Sequence, residues 1–313
     1  MSPALPKTLC KTIDMLGHGI KRKGGVSLKI HLAKTSGFCF GVRRALEVAS
    51  QTIKSRKNVY MLGDIVHNEK VVRQINRRGL KKIKKLKPGK DKTLLIRAHG
   101  ASVKTFAKAR ALGYEIVDAT CPMVQEIHKI AKRMEEAGYK IIVVGDKKHD
   151  EVQGIVGQLR QKAIVIEDAR RISLKTLGEI KKAAVVAQST QNTQEVLEIV
   201  KVLKERIREL KFFNTICRPT RTKQEEIKVM PLKNDVVIII GSKTSANTKR
   251  LYQIAKSLNK RSYWVQSSDQ IKPGWFKGVR NVGVAAGAST PDTTTKDVIK
   301  RIHRLFPRQP SYK

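Results

Sequence analysis

Strand-length apolar runs recur along this chain, each closed by a polar or glycine-rich turn and followed by a stretch with helical apolar spacing. Lys140–Val144, Ala183–Ala187, Val236–Ile240 and Asn281–Ala286 are the plainest of these runs. Their near-continuous hydrophobicity suits strands covered on both faces, as parallel strands are. Shorter runs at Leu28–Leu32, Val59–Leu62, Thr93–Ile96, Glu115–Val117, Ala163–Ile166, Phe212–Ile216 and Tyr263–Val265 complete the strand set. Helical spacing marks Val42–Ile53, Glu69–Asn76, Val103–Leu112, Pro122–Ala137, Glu151–Leu159, Gln194–Leu210, Thr222–Val229, Thr248–Leu258 and Thr293–Leu305. Strands alternating with helices predict an α/β protein with mainly parallel sheets.

Three cysteines punctuate that alternation. Cys39 in G-F-C-F-G-V-R-R-A, Cys121 in D-A-T-C-P-M-V and Cys217 in N-T-I-C-R-P-T-R-T each stand where a strand gives way to a helix. Their separations are about a hundred residues, the usual domain scale. The spacing predicts three similar α/β lobes at 28–121, 122–216 and 217–313, the last with a C-terminal tail. A basic extension at 1–27, expected to be disordered, precedes them. If the fold brings three thiolates together, the natural guest is a soft metal centre, and three ligands leave one coordination position open. No two cysteines are close enough for a paired-cysteine zinc motif. An iron–sulfur cluster and a structural zinc both stay open at this point. A disulfide framework is not expected in a long chain without an export signal, and Cys10 in the extension reads as a bystander.

Charge is the other extreme feature. Lys and Arg number 65 against 26 Asp and Glu, a formal net charge of +39. The basic residues are spread over helix surfaces, with one dense run from Lys81 to Lys92. Aromatics make up only 5% of the chain, so stacking platforms for bases are few and specific nucleic-acid recognition is not expected. A basic surface suits an anionic substrate or an acidic redox partner. No apolar run reaches membrane-spanning length, and residues 1–27 lack the apolar core of a secretory signal.

In open parallel sheets, ligands bind beyond the carboxyl ends of the strands. The polar residues at those ends form a short set: His67, His99, His149 with Glu151, then Gln188, Ser189 and Thr190, then Ser245 and Asn247, then Ser289. Taken singly, each has a plain structural role. A Ser or Asn before a helix is commonly an N-cap, and a carboxylate there suits the helix dipole. Taken together, imidazoles, hydroxyls, an amide and helix starts are donors suited to a phosphate-type anion. Glu151 among histidines is a candidate proton donor if burial raises its pKa. Neither the phosphate-loop lysine motif nor the dinucleotide glycine fingerprint is present.

The strings G-F-C-F-G-V-R-R-A, H-N-E-x-V-V, A-H-G-x-S, D-A-T-C-P, H-x-E-V-x-G, N-T-I-C, G-S-K-x-S-x-N and A-G-A-S-x-P-D, in this order over about residues 30–307, resemble the 4-hydroxy-3-methylbut-2-enyl diphosphate reductase (IspH/LytB) family. The resemblance implies three lobes in a trefoil-like arrangement around a central iron–sulfur cluster. It implies one 4Fe–4S cluster per subunit, held by Cys39, Cys121 and Cys217, with one iron not bound by cysteine. It implies that His67, His99, Ser245, Asn247 and Ser289 hold the diphosphate. His149, Ser189 and Thr190 join them as substrate-binding positions, with Glu151 as the acid of the proton relay. The implied reaction is reductive loss of the substrate hydroxyl as water, giving isopentenyl and dimethylallyl diphosphate, the last step of the non-mevalonate isoprenoid route. An acidic electron donor such as flavodoxin or ferredoxin, and a bacterial cytoplasm rather than a plastid-type organelle, follow from the same resemblance. The alternative reading is a basic nucleic-acid-binding α/β protein with a vestigial metal site. Four features depart from the family pattern. Ser189 stands where Thr is usual, Ala246 where many members have Ser, and Asp150 where Pro is common. Residues 1–27 have no counterpart.

Overall fold

The computed structural model describes residues 28–306 apart from 173–176, 178 and 179. The expected N-terminal extension, Cys10 within it and the extreme C-terminal tail lie outside the described residues. The chain divides into two compact units, residues 39–217 and a second made of 218–313 together with the segment before Cys39. Every strand pair among the described residues is parallel. No helix among them is long and apolar enough to cross a membrane.

The unit spanning 39–217 holds two lobes. The first runs α1 (Phe40–Ser55), β2 (Val59–Leu62), α2 (Glu69–Arg77), β3 (Lys81–Ile83), β4 (Lys92–Ile96), α3 (Val103–Ala111) and β5 (Tyr114–Asp118). The second runs α4 (Pro122–Glu136), β6 (Lys140–Val144), α5 (Asp150–Val156), β7 (Ile164–Ile166), β8 (Lys182–Ala187), α6 (Thr193–Lys204) and β9 (Glu209–Phe213). Their sheets have the orders β3-β2-β4-β5 and β7-β6-β8-β9. The other unit contains β1 (Lys29–Leu32), α7 (Arg218–Lys233), β10 (Val236–Ile240), α8 (Ala246–Leu258), β11 (Ser262–Val265), β12 (Asn281–Ala286) and α9 (Asp292–Leu305), with sheet order β1-β12-β10-β11.

The three sheets share one topology. The first strand of each lobe lies inside, its successor on one side and the third strand on the other. In the third lobe β1 takes the place that β5 and β9 occupy in the first two. The sequence reading put Leu28–Leu32 at the head of the first lobe; its hydrogen bonds go instead to β12, with Lys29 opposite Asn281 and Leu32 opposite Val284. Backbone pairing partners are set by tertiary contact, which hydrophobic pattern alone does not carry.

The continuous apolar runs are explained by two-sided burial. Ile142, Val144, Val185 and Ala187 pack under α6 through Val196, Ile199, Val200 and Leu203. Their chain neighbours Ile141, Val143, Ala184 and Val186 pack under α4 through Ile127, Ala131 and Met134. In the other unit Val236, Ile238 and Ile240 meet α9 through Val298 and Ile302, whereas Val237 and Ile239 meet α8 through Leu251, Ile254 and Ala255. Each fully buried valine, leucine or isoleucine among them contributes about 1.5–3 kcal/mol of transfer free energy.

Two local expectations give way. The helix expected over Gln194–Leu210 stops at Lys204, because Glu209–Phe213 is drawn into the edge strand β9 beside β8. The strand β3, Lys81–Ile83, sits inside the lysine run, where no apolar pattern announces it.

Candidate active site

In each sheet, the inner first strand and its third-strand neighbour send their loops to helices, so a crevice opens between two adjacent strand ends. The loops after β2 and β4 carry His67 and His99. Those after β6 and β8 carry His149 and Ser189. Those after β10 and β12 carry Ser245 and Ser289.

The cysteines belong to the 39–217 unit. Cys39 is the N-cap of α1 and Cys121 the N-cap of α4, with Pro122 opening that helix. The Cys121 side chain makes no cap hydrogen bond, but the nearby amides of Met123 and Val124 favour its thiolate. Burial pushes the Cys121 thiol up, and the nearby Cys39 and Glu151 push it in the same direction. A Cβ on Gly41 would run into Cys121 Sγ and lies 3.2 Å from Cys121 Cβ, so only glycine lets α1 approach that sulfur. The Cys121 N–H donates to Ala98 O (3.0 Å), tying this loop to the one carrying His99. Arg44 Nη1 donates to Thr120 O (3.1 Å), tying it to α1. The Cys217 N–H donates to Ser189 O (3.0 Å). Two residues earlier, Thr215 Oγ1 accepts from Ala187 N–H (2.8 Å) and donates to Ala187 O (2.6 Å), extending the edge of β8 by a side chain.

Glu151 is the acid of this neighbourhood. It is 2% exposed, and one residue, Ser189, serves both of its oxygens. The Ser189 N–H donates to Oε1 at 2.5 Å and the Ser189 hydroxyl to Oε2 at 2.8 Å. Burial raises the carboxyl pKa above its ordinary value, while the two Ser189 bonds hold it back. A carboxyl whose pKa burial raises is a candidate to carry and pass on a proton. Gln188, wholly buried, accepts from Asp146 N–H (2.9 Å) and donates to Thr190 Oγ1 (2.9 Å), bridging the loops after β6 and β8. Thr190 is thus fixed through Gln188; among the hydrogen bonds described here, its hydroxyl is not on Glu151.

His67, His99 and His149 form one cluster. Ring centroids are 4.3 Å apart for His67 and His99, 4.9 Å for His67 and His149, and 5.5 Å for His99 and His149. One ring nitrogen from each lies within 4.8 Å of the others, a spacing a single bound group can bridge. His149 also caps α5, its Nδ1 accepting from Glu151 N–H (3.2 Å). Burial is the first cause that lowers all three pKa values, taking His149 to about 4 and His99 well below its ordinary value; neighbouring imidazoles add to it at His99 and His149, while Asp150 opposes it at His67. His99 Nδ1 is buried with no hydrogen-bond partner among the described residues. A neutral imidazole can take up a proton, and donate it in a hydrogen bond, when an anion arrives.

The other unit presents a matching set of its own. Ser245 caps α8, accepting from Thr248 N–H (3.3 Å). Asn247, in the first turn, is 3% exposed, and both polar atoms of its amide lack a partner among the described residues. Leaving such atoms unpaired costs about 1–3 kcal/mol, so the amide is placed for something other than stability. Ser289 is buried on the next loop, which Gly287 N–H (2.9 Å) and Thr290 Oγ1 (3.0 Å) pin to Ile240 O. Ala246 adds no donor.

The family model for LytB protein matches residues 30–303. The chain belongs to the LytB protein family. A 4-hydroxy-3-methylbut-2-enyl diphosphate reductase of Geobacter metallireducens is 38% identical over 281 residues, 89% of this chain and 98% of that protein. The protein of the same name from Aquifex aeolicus is 38% identical over 283 residues, 88% and 96% of the two chains. A solved structure of (E)-4-hydroxy-3-methyl-but-2-enyl diphosphate reductase, described as the terminal enzyme of the non-mevalonate pathway, aligns with TM-score 0.66 at 38% identity, covering 88% of this chain and 99% of that one. That of E-1-hydroxy-2-methyl-but-2-enyl-4-diphosphate reductase from Plasmodium falciparum aligns with TM-score 0.81 at 25% identity, covering 91% and 94%.

A LytB-family chain uses an iron–sulfur cluster, and the residues fit one. Cys39, Cys121 and Cys217 are in no disulfide, and each is neither fully buried nor exposed. Soft thiolate donors are the ligands iron–sulfur clusters take. The space at Cys121 is kept open by Gly41, and Cys39 is close enough to act on its charge. Reading the sequence singled out Ser189 and Glu151 but missed Gly41 and Thr215 as the residues that place Cys121 and Cys217. Both stand inside the strings that carry the family resemblance, which was the only signal available.

Proposed function

We propose that this chain catalyses the reductive dehydroxylation of (E)-4-hydroxy-3-methylbut-2-enyl diphosphate. Two electrons and two protons enter, the C–O bond to the hydroxyl breaks, and water leaves with isopentenyl or dimethylallyl diphosphate as the organic product. The observation that carries the reading is the Glu151–Ser189 pair beside Cys121 in a LytB-family chain. The cluster is taken as 4Fe–4S, one per subunit, with Cys39, Cys121 and Cys217 as ligands and one iron free of cysteine. Bound there, it supplies electrons and a Lewis-acidic site for the hydroxyl oxygen.

The chain's own residues do the rest. Glu151, its pKa raised by burial, is the proton donor, and Ser189 fixes the orientation of both carboxyl oxygens. His67, His99 and His149 are candidate diphosphate ligands, and so are Ser245, Asn247 and Ser289. Thr190 holds the substrate-side edge of the Ser189 loop through Gln188. An acidic carrier such as flavodoxin or ferredoxin supplies the electrons, drawn by the +39 charge, and the reaction runs in the cytoplasm.

The test is anaerobic. Purified protein is expected to be brown, with iron and sulfide near four each per chain for the proposed 4Fe–4S cluster. With dithionite and a viologen dye it should convert the diphosphate substrate to both products. Replacing Cys121 by Ser should remove both colour and turnover. A colourless, iron-free, folded protein with full activity would end the proposal.

A further inference from the structure

Asp150 is an anion in the wrong company. It is the first residue of α5, between His149 and Glu151, and its Oδ2 lies 3.9 Å from His67 Nε2. The same oxygen accepts from Arg97 Nη1 at 2.6 Å. Neither side chain is fully exposed: Arg97 keeps 21% and Asp150 32% of its side-chain surface in solvent. The guanidinium also lies close against Gly63, where a Cβ would come within 2.5 Å of Nη1, and Gly63 has a positive φ of 77°. Arg97 therefore joins three loops: the one leading to His67, its own leading to His99, and the helix start at His149–Glu151. The charge of Arg97 is felt by all three imidazoles.

We propose that Arg97 is a positioning residue whose task is to cancel Asp150. Without the guanidinium, a carboxylate would stand unopposed beside the histidines and repel the diphosphate they receive. This rests on the reading that His67, His99 and His149 take the diphosphate. It goes beyond that reading by making anion affinity depend on a residue that need not touch the anion. An unopposed charge at this distance weakens binding of a multiply charged anion by about tenfold or more.

The experiment titrates cluster-loaded protein with inorganic diphosphate in an anaerobic calorimeter, alongside steady-state kinetics. Arg97→Ala is expected to weaken diphosphate binding about tenfold or more and to raise KM with kcat within about threefold. Asp150→Asn should bind at least as tightly as the parent. The double variant Arg97→Ala with Asp150→Asn should return to within about threefold of the parent, and Arg97→Lys should stay near it. Arg97→Gln, closer in volume, carries the same expectations if Arg97→Ala does not fold by circular dichroism. A double variant as weak as Arg97→Ala overturns the proposal and makes Arg97 a direct anion contact. Parent-like binding by Arg97→Ala overturns it too. His99→Ala separates the two layers: undiminished diphosphate binding by that variant sinks the histidine cradle and takes the proposal with it, whereas lost binding there leaves the Arg97–Asp150 cycle to decide alone.

Discussion

Ser189 grips Glu151 twice, by its backbone N–H on one carboxyl oxygen and its hydroxyl on the other. The second bond needs only a hydroxyl, and Ser supplies it. Ser189→Ala keeps the amide bond and removes the other. Stability should fall by about 1–2 kcal/mol, because a buried oxygen loses its donor. Losing that bond also lets burial push Glu151 further up, so the alkaline limb of the pH–rate profile should move to higher pH while turnover drops about tenfold or more. Ser189→Thr should restore both readouts.

Gly41→Ala tests the space at Cys121. The added methyl has nowhere to go but into the sulfur, and overpacking of this kind costs about 1–3 kcal/mol. Iron and sulfide per chain should fall several-fold, with the far-ultraviolet circular dichroism unchanged. Full cluster content in a folded Gly41→Ala protein would show that Cys121 Sγ sits elsewhere when the cluster is bound.

Asn247→Ala should separate stability from binding. The amide has no partner among the described residues, so its loss should change the unfolding free energy by no more than about 1 kcal/mol. Affinity for inorganic diphosphate should fall about tenfold. A large destabilisation with unchanged affinity would make Asn247 a structural residue.

Acid should unfold the protein through its buried histidines. Burial lowers His128 and His149 to about 4, below the value of about 6.5 they regain on unfolding. Between those values the unfolded chain binds more protons than the folded one, so stability falls as pH falls. Each histidine contributes a slope of up to about 1.4 kcal/mol per pH unit, and the full contribution is present above pH about 6.5. His128→Gln should flatten the fall by one histidine's share in urea melts run from pH 7 to pH 4.

Strands buried on both faces were readable because the sequence of β10, five apolar residues in a row, admits few other environments. The clustering of His67, His99 and His149 followed from their places at strand ends. The partner of β1 was not readable, since parallel pairing is set by the rest of the sheet. Nor was β3, an edge strand among lysines whose solvent side needs no apolar pattern. The Arg97–Asp150 pair escaped for a third reason: the two residues are far apart in sequence, and a charged residue on a loop looks the same whether it is paired or solvated.

Strand β1 has a cost in time. It leaves the ribosome ahead of every other described strand, yet the edge it needs belongs to β12, the last of them. Until β12 has been made, that sheet stays one ribbon short. The pairing is slow by its contact order, and a fusion that hinders the late docking of β1 should trap a species with one raw edge.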